Sequence, residues 1–352
     1  MMSLVPTPDA LPMASGYFEL LLLLTFPLHL VFMNAMLGGT MLAIWAHFKR
    51  EPVHERLAYK IAQVLPLLIA FAINFGVPPL LFVQVVYGHL IYSSSVLMGV
   101  FWLSVIPVLL TVYYAVYIYD FKFWSLGRRG LPILMFAGVL MLMIAFLFSN
   151  NMTLMLTPET WDIYFKNSSG TFLNLAEPTL WPRYLHMLVG ATAIGALVIA
   201  LLGRLWAKQD AEVGELAQRV GLRVFLAVTC VQIMVGLWFL VALPADVMMM
   251  FMGRNLFATA VFLVAISTVM GVIFLAVKRR LVLCGGLALL LLYLMSLMRA
   301  FVRTGYVDNL FVTQIVEAQR DFSPLLLFVV TLVIGLLLIF WMIKVSLQAQ
   351  EN

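Results

Sequence analysis

Apolar residues run along this chain in blocks of about twenty, separated by short polar stretches, and blocks of that length predict membrane-crossing helices. Blocks long enough to cross about 30 Å of hydrocarbon lie at roughly 17–46, 57–87, 95–119, 131–149, 184–206, 222–244, 256–277, 281–300 and 323–345. The expectation is an all-α polytopic membrane protein with nine transmembrane helices, forming a single membrane domain over 1–352. A closed β-barrel is the other way to satisfy the backbone in lipid, but it needs strands that alternate apolar and polar positions. Runs such as 281–294 do not alternate.

Composition agrees. Of the 352 residues 64% are hydrophobic and 11% charged, against about 25% charged in soluble domains. Basic residues near span ends stay on the cytoplasmic side. With the N-terminus outside and nine spans, the inner side receives Lys49, Arg50, Arg56, Lys60, Lys122, Arg128, Arg129, Arg204, Lys208, Arg219, Arg223, Lys278, Arg279, Arg280 and Lys344. The outer side keeps Lys166, Arg183, Arg254, Arg299, Arg303 and Arg320. The net charge of +5 therefore reports topology, and no nucleic-acid partner is expected. The C-terminus is expected in the cytoplasm, and the lipid bilayer is the first partner.

Between the blocks, two outer segments are long enough to matter, 149–183 and 303–321. Each reads either as solvated loop with an aromatic belt or as a docking surface for a periplasmic partner. Pro66, Pro78, Pro79 and Pro107 fall inside spans, and Asn74-Phe-Gly-Val-Pro-Pro reads as a deformed segment of span two. The small residues of Leu37-Gly-Gly-Thr and Gly190-Ala-Thr-Ala-Ile-Gly-Ala allow close helix approach. Residues 1–16 lack the basic start of a cleavable signal peptide, so none is expected. Cys230 and Cys284 lie within spans, outside any Cys-x-x-Cys-His pattern, so neither a disulfide framework nor a covalently attached c-type haem is encoded.

An imidazole in hydrocarbon is costly unless it serves a ligand or a proton. His47 and His54 belong to the basic inner loop and read as solvated. His29 lies near mid-membrane, and His89 and His186 belong to the outer boundary. Each of these three either bonds a neighbouring carbonyl or serves chemistry. For His186 the chemical reading is the stronger, because Arg183 stands one turn earlier. There a guanidinium can pair with a haem propionate while His186 supplies an axial nitrogen to the iron. Arg254 and Arg299 are further propionate candidates. Met248, Met249, Met250 and Met252 cluster beside Arg254, either as adaptable packing or as a source of an axial thioether, with Met252 or His89 as second-ligand candidates. Among sixteen acidic residues, only Glu19, at the start of span one, approaches the membrane interior, so a carboxylate proton relay from the inner side is not expected.

These pieces together resemble subunit I of the cytochrome bd oxidase superfamily. The resemblance rests on a histidine in span one followed by a basic inner loop, Asn74-Phe-Gly-Val in span two with Phe82-Val-Gln-Val-Val-Tyr-Gly at its outer end, Asn150-Asn-Met after span four, and Arg183-Tyr-Leu-His-Met opening span five. Ser296-Leu-Met-Arg-Ala-Phe-Val-Arg-Thr-Gly-Tyr is a weaker counterpart of the family's end of span eight. The resemblance implies a bd-like bundle in which His29 ligates a haem at the oxygen-reducing site and His186 the outer low-spin haem b. The chain departs from the family at span three, which lacks its two glutamates, and between spans six and seven, where the quinol-binding loop shrinks to about 244–255. The methionine the family carries early in span seven has no clear match.

The resulting expectation is a b-type cytochrome subunit of a respiratory complex in a bacterial or archaeal cytoplasmic (inner) membrane. It would carry one or more haem b groups. It would transfer electrons between the quinol pool and a periplasmic redox partner, a separate c-type cytochrome, alongside other membrane subunits. A haem-free scaffold subunit and a divergent terminal oxidase are the alternatives.

Overall fold

The structure is a computed structural model that describes residues 4–49, 51–310 and 322–351. Those residues form an all-helical bundle with no β-strand. In chain order the helices are α1 (Ser15–Lys49), α2 (Pro52–Leu97), α3 (Gly99–Phe121), α4 (Phe123–Leu126), α5 (Gly130–Met155), α6 (Leu180–Trp206), α7 (Ala211–Ala242), α8 (Ala245–Met249), α9 (Leu256–Val277), α10 (Leu281–Leu310) and α11 (Ser323–Glu351). Eight helices among the described residues are long and apolar enough to span a bilayer, with α4 and α5 forming one of them. These eight match the first eight apolar blocks one for one, and the chain is a membrane protein. The block at 323–345 falls in α11. The helices are apolar nearly all round, as buried or lipid-facing helices are. Leu103 and Ile106 of α3, Met234 and Val241 of α7, and Leu263 and Met270 of α9 are exposed on the bundle's outside.

Small residues bring the centre together. Gly38 of α1 faces Gly195 of α6 so closely that a Cβ on Gly38 would strike the Ala191 carbonyl, and one on Gly195 would lie 2.5 Å from the Gly38 Cα. Gly203 and Gly221 let α6 and α7 approach in the same way, their added Cβ atoms falling 2.8 Å from Ala217 and 2.8 Å from Ala200. Without a hydrophobic drive between helices in lipid, such backbone contact is the main source of attraction.

Helix ends at the basic face are tied by polar contacts. Asp210 caps α7 by accepting from the Val213 N–H at 3.2 Å, and Arg56 of α2 reaches Asp210 at 2.8 Å and Glu212 at 2.6 Å. His47 and His54 are not solvated as their loop position suggests. Both are buried, His47 bonding the Tyr119 hydroxyl at 2.9 Å and His54 meeting the Trp45 ring edge-on. The reason is that α1 and α2 run further toward the basic face than the apolar blocks do, and carry these rings into the core. The distortion expected at Pro78 and Pro79 is absent from the backbone there. The helix stays continuous through both prolines, and the non-helical residue of α2 is Tyr87 (φ −121°, ψ 27°). Neighbouring helices can absorb the freed carbonyls of a proline, whereas Tyr87 is held by a guanidinium on its ring, described below.

The segment 149–183, expected on the outer side, is built rather than loose. Pro158–Phe165 forms a 3-10 helix whose Trp161 is buried and donates to the Leu154 carbonyl at 2.9 Å. Asn150 accepts from the Asn174 N–H at 2.8 Å, and Asn151 accepts from the Ser94 hydroxyl at 2.6 Å. This network clamps the segment over the end of α2. The second outer segment, 303–321, with Glu317 and Arg320, lies outside the described residues beyond position 310.

The buried apolar residues divide into two clusters. One, toward the basic face, takes Ala35–Ala46 of α1, Leu57–Ile69 of α2, Ala191–Ala200 of α6 and Val213–Phe225 of α7. The other, toward the opposite face, takes Leu22, Val83–Met98, Leu147–Trp161 and Val302–Tyr306. The stretches between them on α1, α2, α6, α7 and α10 carry His29, Gly76, His186, Gln232 and Arg299.

Two outcomes are expected. Gly195→Val pushes α1 from α6 and lowers the thermal midpoint in detergent, on the scale of the ~1–3 kcal/mol typical of overpacking, read by tryptophan fluorescence. Asp210→Ala removes a cap that contributes about 1 kcal/mol. The α7 N–H bond, followed by Arg56, holds the Asp210 carboxyl below its ordinary pKa, so its stabilisation is complete above the unfolded carboxylate pKa and fades as pH falls through the lowered folded value. The two proteins should therefore differ in thermal midpoint at pH 7 and converge in strong acid.

Candidate functional site

Each mid-bundle histidine is fitted against a glycine on the next helix. His29 of α1 bonds the Ala72 carbonyl of α2 through Nδ1 at 2.9 Å. Gly76, one turn on, leaves room for the ring, since a Cβ there would lie 2.8 Å from Nδ1. His186 of α6 lies against Gly236 of α7, where a Cβ would come within 3.2 Å of Cε1, and it stacks with Phe239 at 6.2 Å between ring centroids. The Gln232 amide nitrogen lies 3.1 Å from His186 Nδ1, 3.2 Å from Nε2 and 3.0 Å from its carbonyl. A neutral imidazole has one acceptor nitrogen, so this amide orients the ring while satisfying only one of its nitrogens. The Gln232 Oε1 is buried without a hydrogen-bond partner.

Beside this pair the bundle holds an unusual concentration of positive charge. Arg183 of α6 and Arg299 and Arg303 of α10 line one small cavity with Val83, Met152 and Met155. The spacing of four places Arg299 and Arg303 on one helix face. Among the described residues none of the three forms an ion pair. Arg183 Nε and Nη2 and Arg303 Nε are buried without hydrogen-bond partners. The guanidiniums lie instead on aromatic faces: Arg183 at 5.1 Å from Phe239, Arg299 at 4.2 Å from Phe26, and Arg303 at 4.6 Å from Tyr87. Arg299 also donates to the thioether of Met152 at 3.2 Å, a weak acceptor. Glu177, at the start of α6, is engaged with the Thr179 hydroxyl at 2.8 Å. A buried charge without a counter-charge is strongly unfavourable, and an anion in this space would relieve it.

The remaining candidates lie apart from this cavity's lining. Arg254 is exposed and pairs with Asp246 at 2.7 Å. Met252 sits, 44% exposed, in the π-helical turn Met250–Arg254 that follows α8. His89 is half-buried on the last turns of α2, beyond the Tyr87 distortion. Arg303 was legible in the sequence only as an outer basic residue. Its spacing from Arg299 was the available signal, but the convergence with Arg183 needs two helices. Gln232 and Gly236 are also new to the site, and their i, i+4 spacing puts both on the face of α7 that meets His186.

No model of a known protein family matches this chain, and no curated protein matches it.

Haem b can be tested against these residues. Two carboxylate propionates answer the unpaired guanidiniums, and His186, oriented by Gln232 and surrounded by apolar groups, is a suitable axial donor. The donor set fits the group. The cavity itself has a volume of about 10 Å3, room for about one water, so lining side chains such as Met152 must turn aside to admit a macrocycle.

The charge excess has a measurable consequence. In protein free of anionic ligand, Arg299→Met removes a charge repelled by two neighbours and should hold or raise the thermal midpoint. In protein carrying the anion it should lower it. A fall in both states identifies Arg299 as an ordinary structural residue.

Proposed function

We propose that this chain is a membrane-embedded b-type cytochrome subunit of a respiratory complex, which passes electrons between the membrane quinol pool and a periplasmic redox partner, a separate c-type cytochrome. On this reading it is a bd-like bundle of nine spans, α11 being the ninth, with its N-terminus outside a bacterial or archaeal cytoplasmic membrane. The observation that carries the reading is the convergence on one cavity of Arg183, one turn from His186, with Arg299 and Arg303, none of them in an ion pair among the described residues.

In this arrangement His186 would hold the iron, Gln232 would orient the imidazole by turning its amide so that Oε1 accepts the N–H of the ring nitrogen not bound to iron, and Arg183, Arg299 and Arg303 would receive the propionates. Haem b supplies a one-electron couple between ferrous and ferric iron. The apolar surroundings would keep water from the site, and the positive charges would favour the reduced state by opposing the oxidised iron's charge. His29, fitted against Gly76, is the place for a further haem.

One observation favours a second reading, a haem-free scaffold subunit. The Gln232 amide already lies within hydrogen-bond reach of His186, so the ring has a satisfied role without any iron.

Purified full-length protein decides between them through its reduced-minus-oxidised spectrum and haem content. The first reading expects b-type absorbance that His186→Ala abolishes, and that Gly236→Ala shifts or diminishes by displacing the ring. Absence of b-type haem from the wild-type protein, in the complex as isolated from its membrane, overturns it in favour of the scaffold.

A further inference from the structure

The face that carries the basic loops holds a second, larger pocket, away from the histidines. It opens between the end of α6, the first turns of α7 and the turn from α9 to α10, with a volume of about 420 Å3. Arg204, Gln218, Arg279, Arg280 and the start of α10, Leu281–Leu283, line it. No acidic side chain lines it, and among the described residues none of these arginines forms an ion pair. Of the acidic side chains in the first turns of α7, Asp210 and Glu212 are held by Arg56, and Glu215 is exposed and outside the lining.

The backbone at this turn is strained in a way that places the arginines. Helix α9 ends with the Arg280 N–H on the Leu275 carbonyl and the Arg279 N–H on the Ala276 carbonyl, both at 2.9 Å. This paired closure normally has glycine at the residue that takes the left-handed conformation. Here that residue is Arg279, at φ 55°, which among the described residues is the one non-glycine with positive φ. A side chain in that region carries a conformational cost, and a solvated basic loop has no need of it.

We propose that this pocket binds the phosphodiester headgroup of an anionic phospholipid. Guanidiniums pair with phosphate oxygens through parallel N–H bonds, and basic pockets between membrane helices suit such headgroups. The apolar surroundings select lipid over free phosphate. Val277, Val282, Leu283 and Leu205 are all exposed around the turn and offer acyl chains a surface directly below the charged rim. The proposal is independent of any haem.

The test measures lipid retained by full-length protein after detergent washing, with phosphatidylglycerol and phosphatidylcholine offered in equal amounts. Phosphatidylglycerol should be retained in preference. Arg204→Gln, Arg279→Gln and Arg280→Gln should each weaken retention by roughly fivefold, the loss expected for one basic residue at a membrane surface, while Arg128→Gln, on the same face outside the pocket, changes nothing. Arg279→Gly removes the guanidinium and relieves the backbone, so its thermal midpoint should hold or rise while retention falls, which separates lost binding from lost folding. Equal retention of phosphatidylcholine, undiminished phosphatidylglycerol in all three glutamine variants, or inorganic phosphate binding as tightly as the lipid would each overturn the proposal.

Discussion

Three guanidiniums enclosed in a membrane bundle, with no ion pair among the described residues, set the terms for everything around them. Like charges in a poorly polarisable interior repel one another, and the desolvation of each is only partly offset by aromatic faces and a thioether. The rings of Phe26, Tyr87 and Phe239 are thereby committed to cations, and the Tyr87 distortion of α2 falls where one of them sits. Such a cluster persists in a folded protein when an anion completes it, or when the stability of the rest of the bundle carries the cost.

The rest of the bundle is suited to that burden. Two dry clusters of apolar side chains, one toward each face, lock the helices above and below the histidine level, and glycine contacts between α1, α6 and α7 hold the backbones together near the centre. The level between them is where His29 and His186 lie, each against a glycine of the adjacent helix. Rigid packing on both sides lets a polar, imperfectly satisfied layer survive between. The network of Asn150, Asn151 and Asn174 does the same for the outer segment, satisfying its backbone so that it covers the bundle end.

At the opposite face the charges behave differently. Arg56 is fully engaged with Asp210 and Glu212 and serves to tie α2 to α7. Among the described residues Arg204, Arg279 and Arg280 have no such partner, and one of them occupies a backbone conformation suited to glycine. A shared excess of basic residues thus resolves into ion pairs that hold helices and a pocket whose charge remains uncompensated.

Eight of the spans and their order were legible in the sequence, because a backbone in lipid must satisfy its own hydrogen bonds and an apolar block of sufficient length can do so only as a helix. The small-residue stretches around Gly38 and Gly195 were legible for a similar local reason, since close approach needs the absence of a side chain. His47 and His54 were misread as solvated, and the proline pair was misread as the site of distortion, because both depended on which neighbours arrive from other helices. Local chemistry determined that the chain crosses a membrane as helices and that imidazoles lie within them. Tertiary structure alone decided that Arg183, Arg299 and Arg303 converge, that Gln232 and Gly236 frame His186, and that Arg254 stands apart, because the angle between two helices is set by packing along their whole length and no stretch of either one encodes it.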